Sequence, residues 1–170
     1  MRIALFDFDN TLIKSKACVK VRNKDGQEIA RFYDDLFRDY PLADGDYFDF
    51  EDMESAEVLE TAQTTRYIET LREHVHRGDT IMILTSRGNA NIIRDFLVSH
   101  NVYPVDIIAI NSEEWVPLRH LPNAERKKIA VRRLYEKGYD EFIYYDDDEA
   151  NLRAVASLDG PKIVTHLVKL

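Results

Sequence analysis

The sequence predicts an α/β fold, an open parallel sheet in three layers with helices on both faces. Three observations carry that prediction. Short apolar runs rich in Ile, Val, Phe and Tyr recur along the chain, helical patterns lie between them, and no internal repeat, low-complexity tract or Pro/Gly-rich linker is present. Strands alternating with helices imply βαβ units and a doubly wound sheet, whose sites lie at the carboxyl ends of the strands.

The apolar runs fall at 3–6, 80–84, 105–110, 142–145 and 163–168. Continuous rather than alternating hydrophobicity suits strands buried on both faces. Between them, Tyr67, Ile68, Leu71 and Val75 recur at helical spacing, with Gly78 as a stop. Ile92, Ile93, Phe96 and Leu97 form a second stripe. Val131, Leu134 and Tyr135 form a third, opened by Pro122-Asn123 and closed by Gly138, and 149–158 reads as a fourth helix ended by Gly160-Pro161.

Residues 14–56 break the alternation. Val19-Lys20-Val21 followed by Asn23-Lys24-Asp25-Gly26 predicts a hairpin, since an Asp-Gly step suits a tight turn. An aromatic, acidic segment follows through Tyr40, Tyr47, Phe48 and Phe50. We read 14–56 as a small cap inserted after the first strand, over the strand ends, within a single domain spanning 1–170.

The bulk composition narrows the function. A chain of 170 residues, 45% hydrophobic and 32% charged, has the composition of a soluble globular domain. No apolar run approaches the roughly 18 residues of a membrane span, and Asp7 and Asp9 cut short the N-terminal apolar stretch. The single cysteine, Cys18, excludes an internal disulfide and a multi-cysteine metal site. These features favour the cytoplasm. A net charge of −8 argues against a general nucleic-acid-binding surface, although not against an enzyme acting on a nucleotide or a nucleic-acid end.

Four polar clusters carry the chemistry, three of them at strand ends. Asp7 and Asp9 flank Phe8, with Asn10-Thr11-Leu12 after them. A carboxylate there can attack phosphorus, and one two residues on can transfer protons. Thr85-Ser86-Arg87 ends the second run, where a hydroxyl and helix-opening amides suit phosphate oxygens, or a plain N-cap. Asp146-Asp147-Asp148 ends the fourth, with Asn151 sharing a helical face with Asp147. Three adjacent carboxylates repel unless a cation neutralises them, and all-oxygen ligation suits Mg²⁺. Arg126-Lys127-Lys128 sits at a helix start, where cations oppose the macrodipole. Lys127 shares a face with Val131 and Leu134 and is preferred, with Lys128 the alternative.

Asp7-Phe8-Asp9-Asn10-Thr11, Thr85, Lys127 and Asp146-Asp147 with Asn151 resemble, in order, the four motifs of the haloacid dehalogenase (HAD) superfamily of phosphatases. More loosely, the chain is similar to small stand-alone, phage-type members related to nucleic-acid repair phosphatase modules. The resemblance implies a Rossmann-like sheet with a cap, and a Mg²⁺-dependent phosphomonoesterase working through an aspartyl-phosphate. It implies Asp7 as nucleophile, Asp9 as general acid and base whose carbonyl also binds metal, Thr85 on the phosphoryl group and Lys127 as neutralising cation. Asp147 would ligate the metal directly and Asp146 directly or through water. Apart from the resemblance, Thr11, Ser86 and Arg87 are candidate contacts to substrate, with a solvated surface position the alternative for Arg87. Asn10 departs from the commoner Gly. The expected substrate is a phosphorylated small molecule, such as a nucleotide, or a nucleic-acid terminal phosphate. Phe32, Tyr33, Phe37, Tyr40, Tyr47, Phe48 and Phe50 form either a stacking surface for a base or the cap's own core. Two other expectations stand beside this one: a receiver-like phospho-acceptor module, and an inactive HAD-like binding protein. A receiver would carry its acceptor on the third strand rather than the first.

Overall fold

The computed structural model describes residues 1–33, 35–102 and 105–170. Along the chain, β1 (Arg2–Phe6) and β2 (Ile13–Lys14) precede β3 (Val19–Arg22), β4 (Glu28–Phe32), β5 (Tyr47–Asp49) and the short helix α1 (Ala56–Glu60). Then come β6 (Gln63–Thr64), α2 (Tyr67–His76), β7 (Thr80–Thr85), α3 (Ala90–Ser99), β8 (Asp106–Ala109), α4 (Asn123–Glu136), β9 (Glu141–Asp146), α5 (Glu149–Ala156) and β10 (Lys162–Leu167). The chain divides into two compact units, Met1–Lys14 with Gln63–Leu170, and Ser15–Ala62. The second unit is longer than the expected 14–56 insertion, because α1 packs on the 3-10 turn Glu51–Glu54.

The five apolar runs form one parallel sheet in the order β10-β9-β1-β7-β8. The chain winds outward from β1 through β7 to β8, then returns to the other side for β9 and β10. The topological switch point therefore lies between the carboxyl ends of β1 and β9, where open α/β sheets bind ligands. Ile3, Ala4, Leu5 and Phe6 on the central strand are wholly buried. The expectation of burial on both faces fails for the run at 163–168. There β10 alternates half-buried and exposed residues, because it is an edge strand.

Ile3, Leu5, Leu84, Val131, Leu134, Phe142, Tyr144 and Leu152 pack into one core with Trp115, from the 3-10 turn Glu113–Leu118. Two helical faces differ from those expected. On α2 the buried set is Ile68, Leu71 and His74, and Val75 stands at the surface. On α4, Tyr135 is exposed beside Gly160, whose φ of +108° suits the chain reversal before β10. His74 displaces Val75 because it has polar partners. Its Nδ1 lies 2.7 Å from Asp79 Oδ2 and its Nε2 3.1 Å from the Tyr145 hydroxyl, while Arg2 also pairs with Asp79. No helix among the described residues is long and apolar enough to cross a membrane.

In the second unit, β3 pairs antiparallel with β4 on one side and β5 on the other. The predicted turn is present: Asn23 Oδ1 accepts N–H groups of Asp25 and Gln27, and Gly26 takes a φ of +80°. The third strand, β5, was not read from the sequence. Phe37, Phe48 and Phe50 pack edge to face or tilted, as do Phe32 and Tyr40, which makes most of the aromatic segment a small core. Tyr33, Tyr47 and Phe50 keep exposed surface.

The Asp79 carboxyl lies below its ordinary range because Arg2 and then His74 hydrogen-bond to its charged form, against a cost from burial. A lowered carboxyl contributes stability above its unfolded pKa and loses it as pH falls through the folded value. Stability measured by urea unfolding should therefore fall below about pH 4, and Asp79→Asn should flatten that acid limb.

Candidate active site

The loop after β1 is closed by its own backbone. Phe8 carbonyl accepts the N–H of Leu12 at 2.9 Å and of Ile13 at 3.2 Å, and Asn10 donates to Ile13 at 2.8 Å. Asn10 takes φ of +56°, the left-handed region that Asn tolerates better than most residues. This turn keeps Asp7 in line with the strand, its N–H bonded to Tyr145 carbonyl on β9 at 2.9 Å. Thr11 is completely buried and its hydroxyl lies 3.5 Å from Asp7 Oδ2, so it orients Asp7 rather than reaching solvent.

Of the two neighbouring lysines, Lys127 is the one that meets the aspartates. It sits on the first turns of α4, 1% exposed, and its Nζ donates to Asp7 Oδ1 at 2.8 Å and Asp146 Oδ2 at 2.7 Å. Burial opposes the charge on Lys127, but Asp7, Tyr144 and Asp146 outweigh it and hold its pKa well above the ordinary value. Burial pushes the Asp7 carboxyl well above its usual range; Lys127 pulls it down, while Asp146 and Asp147 push it further up.

The aspartate run separates into three roles. Asp146, completely buried, takes the Tyr144 hydroxyl and Lys127 on Oδ2, the Asp148 N–H on Oδ1 at 2.8 Å, and Asn151 Nδ2 on both oxygens at 3.1 Å. Asp148 caps α5 by accepting Ala150 N–H at 2.8 Å. Asp147 is exposed. Asn151, paired by spacing with Asp147, bonds Asp146 instead, because the helix begins after Asp148 and turns its amide inward.

Thr85 ends β7, 1% exposed, and its hydroxyl accepts the Arg87 N–H at 3.2 Å. Arg87 is not turned outward. Its Nε and Nη2 each donate to Asp9 at 2.8 Å, and the guanidinium lies over the Phe8 ring. Ser86 is half-buried and its carbonyl accepts the Asn111 side-chain amide. Arg126 then ties this loop down, donating to Ile110 carbonyl at 2.8 Å and to Asn111 Oδ1. Tyr144, Asn111 and Arg126 were not assigned to the site from sequence. A polar group just before a strand-end aspartate was the only available signal for Tyr144.

One oxygen from each of Asp7, Asp146 and Asp147 lies within 4.8 Å of the others. Three negative charges against the one positive charge of Lys127 leave two negative charges, which a divalent cation would balance. The donors are all carboxylate oxygens, the set that suits Mg²⁺. The residues present therefore fit this ion. Asp146 already accepts four groups, so Asp147 and Asp7 have the more room to hold it. The Asp9 carboxylate stands apart from this group, on Arg87.

Compared with known proteins, the chain matches no protein-family model and no curated sequence.

Removing the buried cation leaves two carboxylates uncompensated. Lys127→Met should lower the unfolding free energy by about 3–5 kcal/mol at neutral pH. Adding Asp146→Asn should restore part of that loss, measured as a double-mutant cycle in denaturant.

Proposed function

We propose that this chain is a Mg²⁺-dependent phosphomonoester hydrolase of the HAD type that works through an aspartyl-phosphate on Asp7. The observation that carries the reading is the convergence of Asp7, Lys127, Asp146 and Asp147 at the switch point of the sheet, at the distances given above. A structural ion pair alone would not need a third, exposed carboxylate in the same cluster.

In this reading an oxygen of Asp7 attacks phosphorus and the bond to the ester oxygen breaks. Asp9, once freed from Arg87 and having taken up a proton from solvent, gives that proton to the leaving oxygen. Asp9 then takes a proton from water, whose oxygen attacks the same phosphorus and releases phosphate and the Asp7 carboxylate. Mg²⁺, held by Asp7, Asp147 and Asp146, would supply the positive charge that lets a carboxylate approach a phosphate dianion. Lys127 supplies the protein's own share of that charge. In the same reading Thr85, at the carboxyl end of β7, would hold a phosphoryl oxygen.

Arg87 adds a feature of this chain. An arriving phosphate competes with Asp9 for the guanidinium fork, since both are oxyanions that accept it in pairs. Release from Arg87 then lets Asp9 turn to the leaving group. The substrate class in this reading is a phosphorylated small molecule such as a nucleotide, or a terminal phosphate of a nucleic acid.

The test is hydrolysis of an aryl phosphate, nucleotides and phosphorylated oligonucleotides with Mg²⁺ present and then chelated. Turnover should vanish on chelation and in Asp7→Asn, with the fold unchanged by circular dichroism. Asp9→Asn should lower kcat by about 10²–10⁴-fold. A wild-type protein inert on the whole panel sinks the proposal.

Arg87→Lys keeps the charge and loses the fork. It is expected to lower kcat/KM by about tenfold or more, and steady-state kinetics on an aryl phosphate would read that loss.

A further inference from the structure

The structure carries an open cleft of about 350 Å³ on the larger unit, lined by Lys14, Gln63, Thr64, Thr65, Arg66, Lys169 and Leu170. Its size falls at the lower end of ordinary ligand sites, about 300–1,000 Å³. Among the described residues no Asp or Glu lines it, although the chain carries 31 acidic residues against 23 basic ones. Among the described residues neither Lys14 nor Lys169 forms a salt bridge. Arg66 lies over the Tyr67 ring, 5.2 Å from its centroid, and bonds that residue's hydroxyl rather than an acid. Three cations so placed repel one another, and an anion would relieve them.

Topology ties this cleft to the catalytic edge. Lys14 follows the Asp7 loop, Arg66 stands where α2 starts and Lys169 follows the end of β10, all at the carboxyl edge of the sheet. Two contacts bring it close to the proposed machinery. Thr65 donates its N–H to Leu12 carbonyl at 2.9 Å and its hydroxyl to Thr11 carbonyl. Val168 donates to Asp146 carbonyl at 2.9 Å, so Lys169 is one residue beyond a bond to that strand end. The ends of β1 and β10 are two strand spacings apart, about 10 Å.

We infer that the cleft is a second anion subsite, which holds a non-reacting phosphate of a substrate that carries at least two. This rests on the proposed hydrolase reading and deepens it, because it selects among phosphomonoesters those that carry another phosphate. Gln63 and Thr64 contribute neutral donors for the same group. The source of the second phosphate is either a small bisphosphorylated nucleotide or the backbone of a short oligonucleotide with a terminal phosphate. An acidic protein thus takes an anionic substrate through local charge rather than net charge.

The experiment compares wild type with the triple variant Lys14→Gln, Arg66→Gln, Lys169→Gln, whose positions are exposed and outside the catalytic machinery. Three substrates are used: an aryl phosphate, a nucleoside 3′,5′-bisphosphate and a 3′-phosphorylated tetranucleotide. The expected result is unchanged kcat/KM on the aryl phosphate, with KM raised about tenfold on at least one substrate carrying a second phosphate. A rise for both assigns the site to any second phosphate; a rise for the tetranucleotide alone assigns it to the backbone. Equal kinetics of the two proteins on all three substrates overturns the subsite. If wild type hydrolyses nothing, the hydrolase reading fails by itself, and the subsite is read from direct binding. In that arm both proteins, each carrying Asp7→Asn, are titrated with fluorescent tetranucleotide at several salt concentrations. The triple variant should bind more weakly, with its salt slope reduced by about one for each cation that meets a phosphate; identical isotherms overturn the proposal. Should the triple variant unfold, the three single variants replace it, each expected to give part of the effect.

Discussion

A lysine ammonium buried between two carboxylates is the constraint on which the rest of the molecule is organised. Lys127 has almost no contact with solvent, and Asp146 has none. Taking such charges out of water costs several kcal/mol each, and the cost is offset only when geometry is good and further hydrogen bonds are present. The central position of β1, the neighbouring β9 and the inward face of α4 supply that geometry. Tyr144, Asn151 and the Asp148 amide supply the further bonds to Asp146. The same network leaves negative charge uncompensated, and it leaves it beside the one carboxylate of the cluster that faces solvent.

The carboxylates near the strand ends, similar in the sequence, do different things because their partners differ. Asp7 faces Lys127 and Asp146 in a dry site, where burial alone would drive it neutral. Asp9, two residues on, points the other way and is clasped by Arg87. Asp148 is spent on capping a helix. Only Asp147 remains both near the cluster and open to water. That division would serve the metal-assisted displacement proposed above, which needs an anion kept reactive by cations, a separate proton carrier and a ligand position accessible to an ion.

Net charge is a poor guide to what this protein can bind. Many surface cations are already matched, as in Arg22 with Asp49, Lys20 with Asp52 and Arg31 with Glu28. The Lys14, Arg66 and Lys169 group differs in forming no salt bridge among the described residues, and it lies on the edge of the sheet that carries the aspartates. Field strength at a cleft depends on such local imbalance and on the low-dielectric walls around it.

Local pattern determined much of this protein by itself. Five apolar runs declare five strands, Gly26 and Asn23 declare a hairpin, and polar residues immediately after the apolar runs declare which edge of the sheet gathers the carboxylates. These are short-range properties, set by backbone preference and the burial of adjacent residues. Tertiary structure decided the rest, because the deciding partners are remote. Whether Lys127 or Lys128 enters the site depends on Asp7, 120 residues away, and Arg87 meets Asp9 across 78 residues. His74 replaces Val75 in the core only because Asp79 and Tyr145 receive it, and β5 exists only because β3 offers an edge. Asp7 could be singled out from its neighbours in the chain. Its charge environment could not, since three of the groups that set it, Lys127, Asp146 and Asp147, arrive from α4 and the end of β9.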